Sequence, residues 1–582
     1  MVARVAVIDR DLCIREKCGY VCMHVCPPNR MGEECIIVEE DTKFPRIYED
    51  VCIGCSLCVK KCPVDCITIV NLAQEVGKPI FQYSINTFRL YGLPLPKEGA
   101  VSLVGKNGIG KTTAIKLLSK QILPNFAEFE KPLSEAGIAR QLGLEQQRYF
   151  SKLGKQLKIS HKPQHVDKLR DAFSGTVMKL LEAVGSGQDA EDAIKLFSLE
   201  KILDREISQL SGGELQKVAM ASACARQADI YYFDEFTNYL DIEERLKGAV
   251  ILKELSEKKN VVIAEHDLTI LDYVSSYVYL FYGEENTYGI VSGVKNVRVG
   301  LNEYLQGMLK EENVRFRDHE LTFTRHSEGE IKSQVKINYP EMKKSFGSFK
   351  FASGAGEIRR GEILGLVGKN ALGKSSFIKL LAGLDKPDNE AKLEKMKVSY
   401  KPQYIHADER LVIDVFSEHS LNTSVLEDAK RKLKIGQFME KKLTELSGGE
   451  LQRIALTLAI SQDAEVYLFD EPSAFLDIEQ RFEFAELLRK VITESDKAAF
   501  VVDHDIVFLD AIANRLVVFE GESSMHGNAS APLNKRDGMN RFLKIAGISM
   551  RRDKDTFRPR INKPGSSLDL EQKEKGEYYY SD

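Results

Sequence analysis

Nowhere in its 582 residues does the sequence run to the eighteen or so uninterrupted apolar residues that a membrane helix needs, so no span is expected. The first ten residues already carry Arg4, Asp9 and Arg10, which leaves no apolar stretch for a secretory signal. A formal net charge of only -4 excludes a global pull toward nucleic acid and leaves local patches open. Beyond residue 66 there is a single cysteine, Cys224, and no flavin or dinucleotide fingerprint. What is present is ordinary globular composition, 43% hydrophobic and 29% charged, in a chain too long for one core. Three or four compact units are expected.

The chain contains itself twice. GKNGIGKT at Gly105 to Thr112 answers GKNALGKS at Gly368 to Ser375, and KPQ recurs at Lys162 and Lys401. LSGGELQ recurs at Leu210 and Leu446, YYFDE ending at Glu235 matches YLFDE ending at Glu471, and His266 and His504 follow. The interval from Ser211 to Asp234 is 23 positions, as is that from Ser447 to Asp470, so both copies share one architecture. Lys111 stands 53 positions before Gln164 but Lys374 only 29 before Gln403, so the first copy carries an insertion near residues 126–153 that reads as polar helix, either an added contact surface or a plain surface elaboration. Similar tails follow each copy, GLNEYL with VRFR and GMNRFL with TFRPR. From Lys535 to Lys563 ten Lys or Arg face three Asp, a strip that suits phosphate backbones or else pairs with acidic neighbours.

Apolar, strand-like runs at Ala100 to Val104 and Ile363 to Val367 lead directly into glycine loops and then helical patterns. In that context Gly105, Asn107, Gly108, Gly110 and Gly368, Asn370, Gly373 let backbone amides curl around phosphate oxygens, and Thr113 and Ser376 open the helices. Lys111 and Lys374 are expected to reach the terminal phosphates, and Thr112 and Ser375 to hold magnesium. Ala371 is a mild departure in the second loop. Buried strands at Ile230 to Phe233 and Val466 to Phe469 would deliver Asp234 and Asp470 toward magnesium, with Glu235 and Glu471 facing the attacking water. Phe236 stands where Pro472 stands in the second copy, a difference expected to make the sites unequal.

Ten of the eleven cysteines lie between Cys13 and Cys66, which in a chain without a signal favours thiolate metal ligation in a reducing compartment. Cys52, Cys55, Cys58, Cys62 and Pro63 spell C-x2-C-x2-C-x3-C-P, the run of two-cluster ferredoxins, and Cys13, Cys18, Cys22, Cys26 and Pro27 form a looser copy. With the fourth cysteine of each run serving the other cluster, one [4Fe-4S] cluster takes Cys13, Cys18, Cys22 and Cys62, and the other Cys26, Cys52, Cys55 and Cys58. Cys35, Cys66 and Cys224 are left spare, and zinc is the alternative use of these thiolates. The clusters can carry electrons or staple a domain too small for a large core, and the mechanical role is favoured.

The glycine loop, KPQ, LSGGE, DE and histidine together resemble an ATP-binding-cassette domain. That resemblance implies that Ser211, Gly212, Gly213 and Glu214 complete the site of Lys374, and Ser447, Gly448, Gly449 and Glu450 that of Lys111. It further implies that Gln164 and Gln403 sense magnesium and the γ-phosphate, that His266 and His504 position phosphate and glutamate, and that Tyr83, Phe88 or Tyr339 stack on adenine. Over essentially its whole length, with MGEECIIVEE and FRPRINK as further matches, the chain resembles the ribosome-recycling ATPases of ABC class E, the RNase L inhibitor family.

The expected fold is α/β: two P-loop cassettes in tandem behind an α+β two-cluster ferredoxin-like domain. Its boundaries are 1–75 for the iron-sulfur domain, 76–296 for the first cassette, 297–335 for hinge 1, 336–530 for the second cassette and 531–582 for hinge 2 and the tail. The resemblance implies a cytoplasmic monomer that hydrolyses ATP with magnesium and splits ribosomes after termination. Its partners would be the small ribosomal subunit and its RNA, a release factor and initiation factors, with no membrane. An ATP-gated electron carrier and the ATPase subunit of a transporter are the other classes that share parts of this pattern.

Overall fold

The structure, a computed structural model, describes residues 3–72, 77–129, 133–153, 155–323, 334–391, 393, 396–403 and 405–579. Parts of the expected insertion (130–132), of hinge 1 (324–333) and of the tail (580–582) lie outside the described residues.

Both halves are built on the same sheet. In the first half the strands stand in the order Ile159–Lys162, Ile230–Asp234, Asn260–Ala264, Ala100–Val104 and Tyr277–Glu284, all parallel, and Tyr288–Val291, Arg89–Tyr91 and Phe81–Gln82 extend the edge. The second half repeats this order with Val398–Lys401, Val466–Asp470, Ala498–Val502, Glu362–Val367 and Arg515–Glu522, followed by His526–Ala529, Phe349–Ser353 and Met342–Phe346. The central strands AVSLV, IYYFD, EILGLV and VYLFD are buried at every position, because helices cover both faces of a parallel sheet. Each Val, Ile, Leu or Phe so buried contributes about 1.5–3 kcal/mol. That burial holds the carboxyl ends of the strands, where the motif residues sit, as a rigid row. The register is the same in both halves: Asp234 pairs with Ala264, and Asp470 with Val502.

Within the expected insertion, helices Glu135–Gln141 and Leu144–Lys152 follow one another. Ile138 and Leu142 are buried against the sheet, and the Tyr149 hydroxyl donates to the carbonyl of Leu118, the last residue of the helix that Lys111 begins.

The amino-terminal segment pairs Ala3–Ile8 antiparallel with Ile67–Leu72, with short helices Val21–Val25 and Leu57–Lys61 between them. It docks on the first cassette through Asn86. The Asn86 side chain accepts from the amide of Ile47 at 3.0 Å and donates to the carbonyls of Ala6 and Ile47, while its backbone oxygen accepts from Ile8. Arg89 meets Glu49 at 2.6 Å beside it.

The two tails grip opposite halves. Arg317 of the first bonds Glu479 of the second cassette at 3.1 Å, and Arg298 meets Asp553 at 3.1 Å and Asp555 at 3.0 Å in the second tail. The basic strip from Lys535 to Lys563 is largely consumed inside the molecule. Lys535 and Arg552 pair with Asp510, Arg536 with Glu577, Arg541 with Glu520, and Arg558 and Arg560 with Asp272. Of the two uses its sequence allows, pairing with acidic neighbours is the one realised for these six side chains.

Candidate nucleotide sites and cysteine pockets

Each lysine loop turns directly into a helix whose first residue is the lysine, behind a glycine at φ 99° (Gly110) or 92° (Gly373). A side chain at Gly110 would lie 2.7 Å from the Phe88 ring, so the close approach needs glycine as much as the dihedral does. Lys111 Nζ donates to the carbonyls of Gly105 and Lys106 at 2.8 and 2.7 Å, and Lys374 does the same to Gly368 and Lys369 at 2.8 and 2.6 Å. Burial lowers both ammonium pKa values, Lys374 to about 8, so each gains from an incoming anion. Ala371 adopts φ 58°, matching Gly108 at 67°, so the departure places an alanine in the left-handed region.

Glu235 and Glu471 also sit in that region, at φ 48° and 50°. Such a conformation costs about 1–2 kcal/mol for a residue with a side chain and persists where surrounding bonds over-determine it. Here the amide of Glu235 donates to Ala264, its carbonyl accepts from Gln216, and Lys162 Nζ donates to the carbonyls of Asp234 and Glu235 at 2.9 and 2.8 Å. Gln452 and Lys401 repeat this around Glu471. Lys162 and Lys401 are buried, with pKa values lowered by burial to about 8. Sequence reasoning singled out the KPQ motif for its glutamine alone, whereas its lysine fixes the strand ends.

The two acidic clusters share a plan and differ in detail. Gln164 Nε2 donates to Glu235 Oε1 and Gln403 Nε2 to Glu471 Oε1, both at 2.7 Å, while His266 and His504 stand 3.7 and 3.4 Å from the same oxygens. Burial opposes ionisation of Glu235, and His266, Lys111 and Asn238 outweigh it, leaving the carboxyl at about 2. For Glu471 the groups outweighing burial are His504, Gln403 and Lys374, again to about 2. Asn238 donates to Glu235 Oε2 at 2.8 Å, and Ala474 in the equivalent place cannot. Thr112 donates to Asp234 at 2.8 Å, and Ser375 stands beside Asp470 in the same way and lowers its carboxyl. Burial and the charge of Glu235 raise Asp234 to about 7, and burial raises Asp470. A buried carboxylate beside a hydroxyl, at the mouth of a phosphate loop, is a place for a cation. The difference at the carboxylates is Asn238, while Phe236 is buried beside Gly248.

The halves face each other crosswise. The amide of Asn107 donates to Asp477 at 2.9 Å and that of Asn370 to Asp241 at 2.8 Å. Lys106 pairs with Glu479 at 2.9 Å and Lys369 with Glu243 at 2.5 Å. The Asn107 side chain also donates to the carbonyl of Phe475, and a Cβ built on Gly449 would stand 3.1 Å from that same oxygen. LSGGE of the second half therefore lies against the very turn that meets the lysine loop of the first. Gly213 and Tyr239 repeat the contact in the other half. Ser211 and Ser447 cap their helices, exposed, with hydroxyls accepting from the amides of Glu214 and Glu450. Glu214 and Glu450 return the bond to the serine amides at 2.9 and 2.7 Å. They hold the turn, and as acceptor-only carboxylates they suit hydroxyl donors of a nucleotide rather than its phosphates.

Of the three aromatic candidates, Tyr83 is 50% exposed and its hydroxyl lies 3.0 Å from that of Thr113, while Phe88 packs on Gly110. Tyr339 does not fit. It is 2% exposed, in edge contact with Phe377 and Phe500, so it belongs to the core. Phe346, 40% exposed at the Met342–Phe346 hairpin, occupies the place that Tyr83 holds in the first half. Ser376 is the third residue of the second helix, after Lys374 and Ser375.

In the amino-terminal segment, Cys13, Cys18, Cys22, Cys62 and Cys66 line one pocket. Cys26, Cys52 and Cys58 are buried with Cys35 in the adjoining core, close enough for Cys55, Cys52 and Cys26 to raise the Cys58 thiol beyond what burial alone does. Among the described residues no three His, Cys, Asp or Glu side chains converge on a point that one ion could fill. Five thiols lining one pocket are a donor set that fits an iron-sulfur cluster.

The ABC transporter family matches residues 91–238 and 354–474, and the 4Fe-4S binding domain family residues 45–68. An uncharacterized ABC transporter ATP-binding protein of Methanocaldococcus jannaschii is 45% identical, covering 100% of this chain and 98% of its own, and ABC transporter E family member 1 of Arabidopsis thaliana is 39% identical, covering 100% and 99%. The chain belongs to the E family of ATP-binding-cassette proteins, the RNase L inhibitor family. Among solved structures, a model of ribosome-bound archaeal Pelota and ABCE1 aligns at TM-score 0.92 and 45% identity over 100% of both chains. A complex of the archaeal ribosomal stalk protein aP1 with the archaeal ribosome recycling factor aABCE1 aligns at 0.82 and 44%, covering 88% of this chain and 100% of that one. This E-family chain is accordingly an ATPase with an iron-sulfur domain at its amino terminus. Among the described residues no helix is long and apolar enough to cross a membrane.

Proposed function

We propose that the chain is a ribosome-recycling ATPase of the cytoplasm, which splits ribosomes into subunits after termination by closing its two cassettes on ATP. The observation that carries this reading is the crosswise seam, in which each lysine loop bonds the other half's aspartate, so that an ATP bound at either loop is shared between halves. The likeness to a ribosome-bound archaeal ABCE1 over the full chain, and to an archaeal ribosome recycling factor over 88% of it, supports a ribosomal partner. With the ribosome this reading takes its small subunit and RNA, a release factor and initiation factors as partners.

In this reading Glu235 and Glu471 act as bases toward the attacking water, and His266 and His504 hold the glutamates and the γ-phosphate. Burial and Lys111 push His266 below the usual imidazole range, against the pull of the Glu235 carboxylate beside it. Magnesium would be held by Thr112, Asp234 and Gln164 in one site and Ser375, Asp470 and Gln403 in the other; it neutralises phosphate charge when bound. Each glutamine spends its amide hydrogen on a glutamate, leaving its carbonyl oxygen for an ion. Ser211, Gly212 and Gly213, with Ser447, Gly448 and Gly449, present helix N-termini to the phosphate bound across the seam. Tyr83 and Phe346 flank adenine.

Two [4Fe-4S] clusters would be held by Cys13, Cys18, Cys22 and Cys62, and by Cys26, Cys52, Cys55 and Cys58. When bound they cross-link a domain with little apolar core of its own. The division is 1–75, 76–296, 297–335, 336–530 and 531–582, with the insertion at about 126–153 and the tails as hinges. Closure at the seam moves the iron-sulfur domain through its Asn86 and Glu49 dock. The test is sedimentation of ribosomes with this protein, ATP and the release factor. Free subunits should grow at the expense of whole ribosomes, and an unchanged profile overturns the reading.

A further inference from the structure

We propose that Cys66, unassigned by the ferredoxin pattern, is a reserve ligand of the first cluster, able to take the place of Cys62. The inference rests on the two-cluster reading above.

Cys66 is 4% exposed, its Sγ lies 3.5 Å from Cys62 Sγ, and it lines the pocket that Cys13, Cys18, Cys22 and Cys62 line. Its position is built into the backbone. Asp65, at φ 47°, turns the chain between the two cysteines, and the Cys66 carbonyl accepts from the amide of Asp9 at 2.8 Å, at the mouth of the strand pair Ala3–Ile8 and Ile67–Leu72. A thiol that merely filled space could face any part of this small core; this one faces the ligand set. Cys35, the extra thiol beside the other set, likewise approaches Cys26 and Cys52, and its Sγ also lies 4.0 Å from the carbonyl of Tyr48.

Removing the Cys62 thiol leaves one iron of the cluster short of a ligand, with a second buried thiol a hydrogen-bond length from the vacated position. Cys66 then forms the iron-sulfur bond as a thiolate and its proton passes to solvent. No electron moves, and no co-reactant is needed.

The experiment uses the full chain purified without oxygen, as wild type, Cys62→Ala, Cys66→Ala and the double variant, with iron and acid-labile sulfide counted per chain and electron paramagnetic resonance recorded after reduction. Wild type should hold about eight irons; a different count sinks the two-cluster reading independently of Cys66. Cys62→Ala should keep nearly all of that iron with a shifted resonance, Cys66→Ala should keep it unshifted in number, and the double variant should lose about half. The half remaining, with the other cluster's signal, shows that the domain is still folded. The proposal is overturned if Cys62→Ala alone loses half its iron, if the double variant loses none, or if Cys66→Ala loses iron by itself.

Discussion

The amide of Asn107 donates to the carboxylate of Asp477 across 370 positions of sequence, at 2.9 Å, and the same carboxylate accepts from Gln480 to cap the helix Ile478–Glu494. One side chain therefore starts a helix in the second half and orients the phosphate loop of the first. Asp241 does both for the opposite site.

These two tasks separate by substitution. Asp477→Ser keeps a capping oxygen and is too short to span the seam, so thermal stability should change little while ATP turnover falls about tenfold, equivalent to ~1.4 kcal/mol of transition-state stabilisation. Asp477→Ala should lower stability by a further ~1 kcal/mol. Equal turnover in wild type and Asp477→Ser, measured as phosphate release, would show that the seam bond is idle.

Glu235→Gln or Glu471→Gln should each slow hydrolysis at its own site by a hundredfold or more, the typical worth of a general base, and trap the closed clamp. Single-turnover phosphate release read together with retained ATP distinguishes slow chemistry from lost binding. Because only Glu235 has Asn238 as an added donor, Asn238→Ala should change hydrolysis at the first site and leave the second unchanged. A change at both sites rules that out.

The pH dependence follows from Asp234. Burial and Glu235 hold its carboxyl at about 7, so below that pH it is protonated and must lose a proton before it can hold magnesium. Apparent magnesium affinity at the first site should be flat above pH 7 and fall about tenfold per unit below it. Calorimetric titration across this range checks it, and a flat profile down to pH 5 contradicts it.

At the fourth position of the two phosphate loops, Gly108 and Ala371, opposite substitutions should have opposite signs. Ala371→Gly relieves a left-handed alanine and should stabilise by ~0.5–1 kcal/mol after the greater entropy of glycine in the unfolded chain is subtracted. Gly108→Ala should destabilise, since its Cβ would stand 2.4 Å from Asn286 Oδ1. Thermal unfolding of the two variants decides, and a neutral Gly108→Ala is the unfavourable result.

Much of this was legible in the residues. Short motifs sit where strands end and helices begin, so the glycine loops, the Asp-Glu pairs and the ferredoxin run announce their own local geometry, and duplication announces the second sheet. Tyr339 was misread because an aromatic residue before a phosphate loop has one sequence signature whether it faces adenine or the core. Lys162 and Lys401 were passed over because a buried lysine bonded to carbonyls looks, in sequence, like any surface lysine. Glu214 and Glu450 were taken with their motif, and S-x-x-E just before a helix is also a capping signal.

The sequence by itself determined the local chemistry: which amides can cradle phosphate, which carboxylates end strands, which thiols can share a cluster. Contacts between elements hundreds of residues apart were decided only in the tertiary structure. There Asp477 found Asn107, Glu479 joined Arg317 to Lys106, and the basic tail spent its charge on Asp272 and Asp510. The reason is physical: hydrogen bonds and ion pairs act over a few ångströms, and no spacing along a chain states which distant groups packing will bring within that reach.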